Sequence, residues 1–173
     1  MDSRESVSEF LKKQFPDLIV GQESFRGQDF FLIKPEGLLE ICQGLLDNVE
    51  LDIKYLADIT SVDWYGHPDE KLGRFEVIYN LYSLTSHYRF FLKARLSGEK
   101  PEIASLTPLW HAADWLEREV WDLMGIVFIG HPNLTKILTP DDLEGFPLRR
   151  DYPLTWEQPV FSWNKNLPPE VIK

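Results

Sequence analysis

Apolar residues recur at two different periods along this chain, and each change of period marks a new element. Val7, Phe10, Leu11 and Phe15 fall at helical spacing. Residues 3–15 are therefore predicted to form a helix, capped by Ser3 or Ser6 and ended by Pro16. Leu18-Ile19-Val20 and Phe30-Phe31-Leu32-Ile33 predict two short strands around a turn at Arg26-Gly27-Gln28. Pro35 opens a second helix that runs to Asp47. Its Leu38, Leu39, Ile41, Cys42, Leu45 and Leu46 make a broad apolar face. A strand follows between Ile53 and Trp64, then a loop at Gly66-His67-Pro68-Asp69.

The strongest β signal comes next. Phe75, Val77, Tyr79 and Leu81 alternate with Glu76, Ile78, Asn80 and Tyr82, and Tyr88, Phe90, Leu92, Ala94 and Leu96 alternate with Arg89, Phe91, Lys93 and Arg95. The five residues Ser83 to His87 between them suit a hairpin loop. The alternation sets Lys93 and Arg95 on one face and the apolar set on the other. Residues 112–124 read as a further helix, with Leu116, Val120, Leu123 and Met124 as its stripe and Gly125 at a left-handed C-cap. Ile126 to Ile129 is a short strand. The fold class is α+β: two layers, a mixed sheet of about four to six strands and two or three helices.

From His131 onward the character changes. Seven of the twelve prolines lie beyond His131, among large apolar residues such as Leu138, Phe146, Leu148, Trp156 and Trp163. Such proline density forbids long helices and central strands. The chain divides into an α+β domain at 1–130 and an extended C-terminal arm at 131–173. The arm is expected to pack poorly on its own domain and to lie along a partner.

Composition narrows the function. The chain has 173 residues and a net charge of −10, which argues against nucleic-acid binding because phosphate attraction needs a basic face. One cysteine, Cys42, allows no internal disulfide, no usual zinc spacing and no four-thiolate cluster. In its apolar stretch Cys42 reads as a small buried hydrophobe. No apolar run approaches the ~20 residues of a membrane span, and the charged, acidic MDSRESVSEF does not read as a signal peptide.

Candidate chemistry is sparse. His111 and Asp114 share a helix face, which is weak support for a metal. Glu117 and Glu119 flank Arg118, but residues two apart on a helix point in different directions, so the carboxylates do not converge for acid–base work. Arg149-Arg150-Asp151 follows Gly145-Phe146-Pro147-Leu148. Arginine suits buried or interfacial carboxylate pairing. There is no Gly-rich phosphate loop and no nucleophile elbow, and no self-contained active site assembles from these residues.

The stretch from Trp115 to Leu154 carries a dense pattern. Glu117-Arg118-Glu119, Asp122-Leu123-Met124 and Gly125 are followed by Gly130-His131-Pro132 and Ile137-Leu138. Pro140, Asp142, Gly145, Pro147-Leu148-Arg149, Asp151 and Pro153-Leu154 complete it. This closely resembles the 30 kDa subunit family of respiratory complex I, an NADH-quinone oxidoreductase. Asp63-Trp64 and the hairpin from Arg74 to Leu96 are similar to that family's central region.

The resemblance implies a structural, non-catalytic subunit in the peripheral arm of a proton-translocating NADH:quinone oxidoreductase. Such a subunit holds no cofactor itself; iron–sulfur clusters, flavin and quinone belong to partner subunits. The implied partners are the large hydrogenase-like subunit, of the 49 kDa type, and neighbouring cluster-bearing subunits of the B and I types. It would lie on the cytoplasmic face of an energy-transducing membrane, touching the membrane only through partners. An equivalent subunit of an F420H2 dehydrogenase, a chloroplast-type complex or a membrane-bound [NiFe] hydrogenase is the alternative.

The resemblance also implies residue roles. Glu117, Arg118, Glu119 and Asp122 would hold their helix against the C-terminal loop, through Arg149 or Arg150. His131-Pro132 would fix the turn that starts the arm. Pro140 to Leu154, with Asp142, Gly145, Pro147, Arg149, Arg150 and Asp151, would dock on the large subunit.

Overall fold

The computed structural model describes residues 3–98 and 100–155. Helix α1 spans Ser3–Gln14, and strands β1 (Ile19–Phe25) and β2 (Gln28–Ile33) form the first hairpin. Arg26 and Gly27 both take positive φ at its two-residue turn, the geometry that matches the twist of paired strands. After Pro35–Gly37, a short 3-10 turn, α2 runs over Leu38–Asp47. β3 (Tyr55–Asp63), β4 (Phe75–Tyr82) and β5 (Arg89–Leu96) follow, then β6 (Glu102–Ala104), α3 (Ala113–Met124) and β7 (Val127–Ile129). The predicted loop at residues 66–69 continues into a 3-10 turn over Pro68–Leu72, opened by Pro68 and capped by His67 Nδ1, which accepts the Asp69 N–H.

The main sheet has the order β1-β2-β5-β4-β3. All its pairs are antiparallel except β2–β5, which makes it mixed. β6 and β7 form a separate parallel pair. One sheet face carries Phe31, Ile33, Val77, Tyr79, Leu81, Phe90 and Leu92, all buried with Val7 and Leu11 of α1 and Ile41, Cys42 and Leu45 of α2. Burial raises the Cys42 thiol far above its ordinary range, so it packs as an inert hydrophobe. Arg4 of α1 pairs with buried Asp29, which also accepts the Tyr88 hydroxyl at 2.8 Å. That contact fixes which sheet face α1 covers.

α3 packs against β3, the edge of the sheet. The segment between β6 and α3 is tied down by Trp110, whose indole N–H donates to the Lys54 carbonyl at 2.9 Å. Among the described residues, no helix is long and apolar enough to cross a membrane.

Candidate docking site

The residues singled out on α3 separate by face, as helical geometry requires. Glu117 is fully buried, and its two oxygens accept the Ser105 hydroxyl and the Leu106 N–H, both at 2.6 Å. Burial pushes its carboxyl up to about 7, against those two donors. Glu119, two positions on, is exposed. Arg118 donates to the carbonyls of Thr135 and Lys136 at 3.1 and 3.2 Å, and its guanidinium lies over the Trp115 ring.

Asp122 meets the arm directly. Its Oδ2 accepts the N–H groups of Ile137, Leu138 and Thr139 at 3.0, 2.8 and 2.9 Å, and its Oδ1 accepts the Thr139 hydroxyl. Burial alone would raise this carboxyl; the four donors outweigh it and hold it at about 2. The motif places Arg149 or Arg150 opposite these carboxylates, and the structure corrects that. Asp122 grips backbone amides, Glu117 faces the β6–α3 segment, and both arginines are committed elsewhere.

Arg149 reaches the end of α3. Its Nε donates to the Met124 carbonyl at 2.6 Å, and its guanidinium lies between the rings of Phe75 and Phe146, 4.9 and 4.4 Å from their centroids. Gly125, left-handed at φ 72°, makes this approach possible, because a Cβ there would run into Phe146 and Arg149. Gly125→Ala should therefore lower stability by about 3 kcal/mol, combining a disfavoured φ with a steric clash, as thermal unfolding would register.

The carboxylate-pairing arginine is Arg74. It bridges Asp63, at 3.0 Å from both Nε and Nη2, and Asp151 at 2.8 Å, with its guanidinium over Tyr65 and Phe75. Asp63 also accepts the Arg150 N–H at 2.9 Å, and Arg150 Nη1 donates to the Tyr65 carbonyl. Burial pulls Asp63 upward, but Arg74 and the N–H donors of Arg150 and Tyr65 hold it below the ordinary carboxylate range. Asp63 and Arg74 stand out in the sequence only through family resemblance; their partners Arg150 and Asp151 lie 87 and 77 residues away respectively.

His131 is buried. Its Nδ1 accepts the Asn133 N–H at 3.1 Å, which leaves Nε2–H to donate to the Asp114 carbonyl at 3.1 Å. It thus fixes the turn at Pro132, and Asp114 faces His131. Gly145, at φ 83°, faces the Tyr152 ring, and Lys136 closes the 136–143 loop on the carbonyls of Pro140 and Leu143.

Residues 131–155 therefore do not hang loose from the domain. They are fastened at Asp122 and Asp63 by backbone amides and at Met124–Gly125 by the Arg149 side chain, and this corrects the expectation of poor packing for that part of the arm. Residues 156–173, with three of the seven prolines of the predicted arm, lie outside the described residues. The fastened segment turns apolar groups outward: Leu138 and Leu148 are 61% and 56% exposed, and Leu154 is exposed beyond them. Asp142 and Pro140 are exposed and Pro147 is half-buried on the same segment. Among the described residues no group of three or more His, Cys, Asp or Glu side chains could hold a metal.

Buried carboxylates here grip loops, Arg149 caps the end of α3, and the strap they hold shows Leu138, Leu148 and Leu154 to solvent. The result is an α+β domain whose C-terminal strap turns an apolar edge outward. Residues 31–158 match the family described as respiratory-chain NADH dehydrogenase, 30 Kd subunit, and the chain belongs to that family. It is 40% identical over 161 residues to the NADH-quinone oxidoreductase C subunit of Roseiflexus sp. (strain RS-1), covering 93% of this chain and 90% of the relative. A solved trypsin-resistant fragment of Nqo5 matches with TM-score 0.63 at 32% identity, covering 78% of this chain and all of the fragment. A chain of the archaeal membrane-bound sulfane sulfur reductase shares the fold, with TM-score 0.73 at 22% identity over 90% of this chain and 88% of that one.

Proposed function

We propose that the chain is a structural subunit of the peripheral arm of a proton-translocating NADH:quinone oxidoreductase, without a catalytic site of its own. The segment 131–155 is its docking edge for the large hydrogenase-like subunit, and through that contact it supports the quinone-reducing module. Cluster-bearing subunits of the B and I types are its further neighbours, and clusters, flavin and quinone are theirs and not this chain's. It reaches the cytoplasmic face of the membrane through those partners. The observation that carries this reading is the strap itself: a backbone fixed by Asp122, Arg149 and the Arg74 pair, presenting Leu138, Leu148 and Leu154 outward. A preformed edge loses less entropy on binding than a free tail would. The relatives' name supports NADH as donor, whereas the fold alone recurs in a sulfane sulfur reductase.

Leu148→Asp tests the edge. The free chain should change in stability by no more than about 0.5 kcal/mol, since the residue is exposed. Its incorporation into the assembled complex should fall by about tenfold or more, read by quantitative mass spectrometry of the purified complex. Normal incorporation with lost electron transfer would argue instead for a catalytic role.

A further inference from the structure

Three guanidinium groups meet where the strap returns to the sheet. Arg74 is matched there by Asp63 and Asp151. Arg149 and Arg150 are not: among the described residues neither takes part in an ion pair. Arg149 gives its hydrogen bonds to the Met124 and Gly125 carbonyls and lies between two rings. Three cations thus share two carboxylates. The exposed one, Arg150, keeps its charge uncompensated on a chain whose net charge is −10. The strap's other carboxylates, Asp141, Asp142 and Glu144, are exposed on the turn after Pro140, and none of them pairs with either arginine.

Arg150 is also held in place. Its backbone N–H donates to Asp63 at 2.9 Å and its Nη1 to the Tyr65 carbonyl at 3.2 Å. Fixing a long side chain costs rotamer entropy in the free chain, and a guanidinium so fixed is preorganised for a ligand. Its Nε–Nη2 edge donates to no acceptor among the described residues. Arg74 uses that same edge to grip both oxygens of Asp63, at 3.0 Å each. It is the fork that fits a carboxylate bidentately. The surroundings select the occupant. Tyr65, Leu148 and Leu154, beside Arg150 in space or in sequence, are exposed and largely apolar. Asp63 and Asp151 repel a polyanion, which disfavours nucleic acid or an anionic lipid surface. A second copy of the chain would bring a further net charge of −10, which opposes self-association. A single Asp or Glu on an otherwise apolar protein face matches both the fork and its surround.

We infer that Arg150 is the polar anchor of the docking edge and takes a carboxylate of the large partner subunit on its Nε–Nη2 fork. The inference rests on reading residues 131–155 as that edge. It goes further by naming the group the partner supplies and the side chain that selects it. The leucines bury apolar area against any apolar face, whereas the fork accepts only a face with a carboxylate opposite position 150.

Arg150→Lys, assembled into the complex and treated with a water-soluble carbodiimide, tests it. The variant keeps the charge and supplies an amine, which the reagent joins to a carboxylate in contact with it. Mass spectrometry should find position 150 linked to an Asp or Glu of the large subunit. A link to Glu157 or another carboxylate of the same chain, a link between two copies, or no link at all overturns the inference. Incorporation into the complex gives a second reading. Arg150→Glu should lower it by about tenfold or more and Arg150→Gln by a smaller factor, while Arg150→Lys retains most of it. The Arg150→Gln chain alone should still unfold cooperatively on heating, since the side chain is exposed. Normal incorporation of a folded Arg150→Gln chain counts against the inference. If Leu148→Asp still blocks incorporation in that case, the docking edge stands without its anchor; if it does not, both readings fail.

Discussion

Replacing Asp122 with Ala is expected to cost about 3–5 kcal/mol of folding stability, read as a lower urea midpoint at unchanged slope. The carboxylate is buried and accepts four hydrogen bonds, three of them from consecutive backbone N–H groups. The N–H groups of Ile137, Leu138 and Thr139 all converge on this one carboxylate, so its loss orphans a whole turn of the arm. Asp122→Asn keeps one oxygen and should lose about half as much, because the charge that strengthens each bond is gone. Hydrogen exchange locates the damage: amides 137–139 should lose protection in both variants while β4 and β5 keep theirs. Equal loss across the sheet would mean that Asp122 supports the domain and not the strap.

The same group gives a pH dependence of definite sign. Its folded value of about 2 lies below the ordinary 3.8. The folded state therefore binds fewer protons, and the contribution is fully present above about pH 4 and lost as pH falls toward 2. The loss amounts to roughly 2 kcal/mol. Asp122→Asn should flatten that acid limb.

Much of this architecture can be read from local pattern. The β4–β5 hairpin follows from strict alternation, and α3 with its Gly125 cap follows from a helical stripe ending in glycine. β6 escapes because three residues after a proline carry no periodicity, and its partner β7 lies beyond a helix. The parallel β2–β5 pairing is equally invisible, since no local turn specifies it. Helical geometry shows that Glu117 and Glu119 diverge, but only the packed structure shows that Glu117 is the one turned inward. The bond from Asp63 through Arg74 to Asp151 depends on chain segments far apart in sequence. The arm shows the same division. Its proline and leucine content is legible, but the amides of 137–139 that Asp122 holds carry no residue identity, and Arg149 and Asp151 meet their partners only in the packed structure.

Glu117→Gln is expected to abolish the fall of stability with rising pH near neutrality. Glu117 is fully buried among Ser105 and Leu106 of the β6–α3 segment, Tyr79 of β4 and Asp114 of its own helix. Asp114 repels its charge, and Tyr79 sits in the same buried field with its own ionisation raised, first by burial and then by Glu117. With the folded value near 7 and the ordinary one at 4.5, the folded state holds more protons between those limits. Stability from this group therefore falls as pH rises from about 4.5 to 7, by an amount on the order of 3 kcal/mol. A carboxamide cannot ionise, so the Gln variant should lack that decline. It should be the weaker protein at pH 5, where it loses one well-placed acceptor, and the equal or stronger one at pH 8. Urea titrations at the two pH values decide the matter, and parallel pH profiles would show that Glu117 stays charged throughout. Glu117→Ala, by contrast, strips both donors of their acceptor and should cost about 3 kcal/mol or more at either pH. Glu117 and Asp122 thus place opposite slopes on one helix, five residues apart. Together they favour the folded chain most between about pH 4 and 5, and replacing Glu117 with Gln should broaden that optimum into the neutral range.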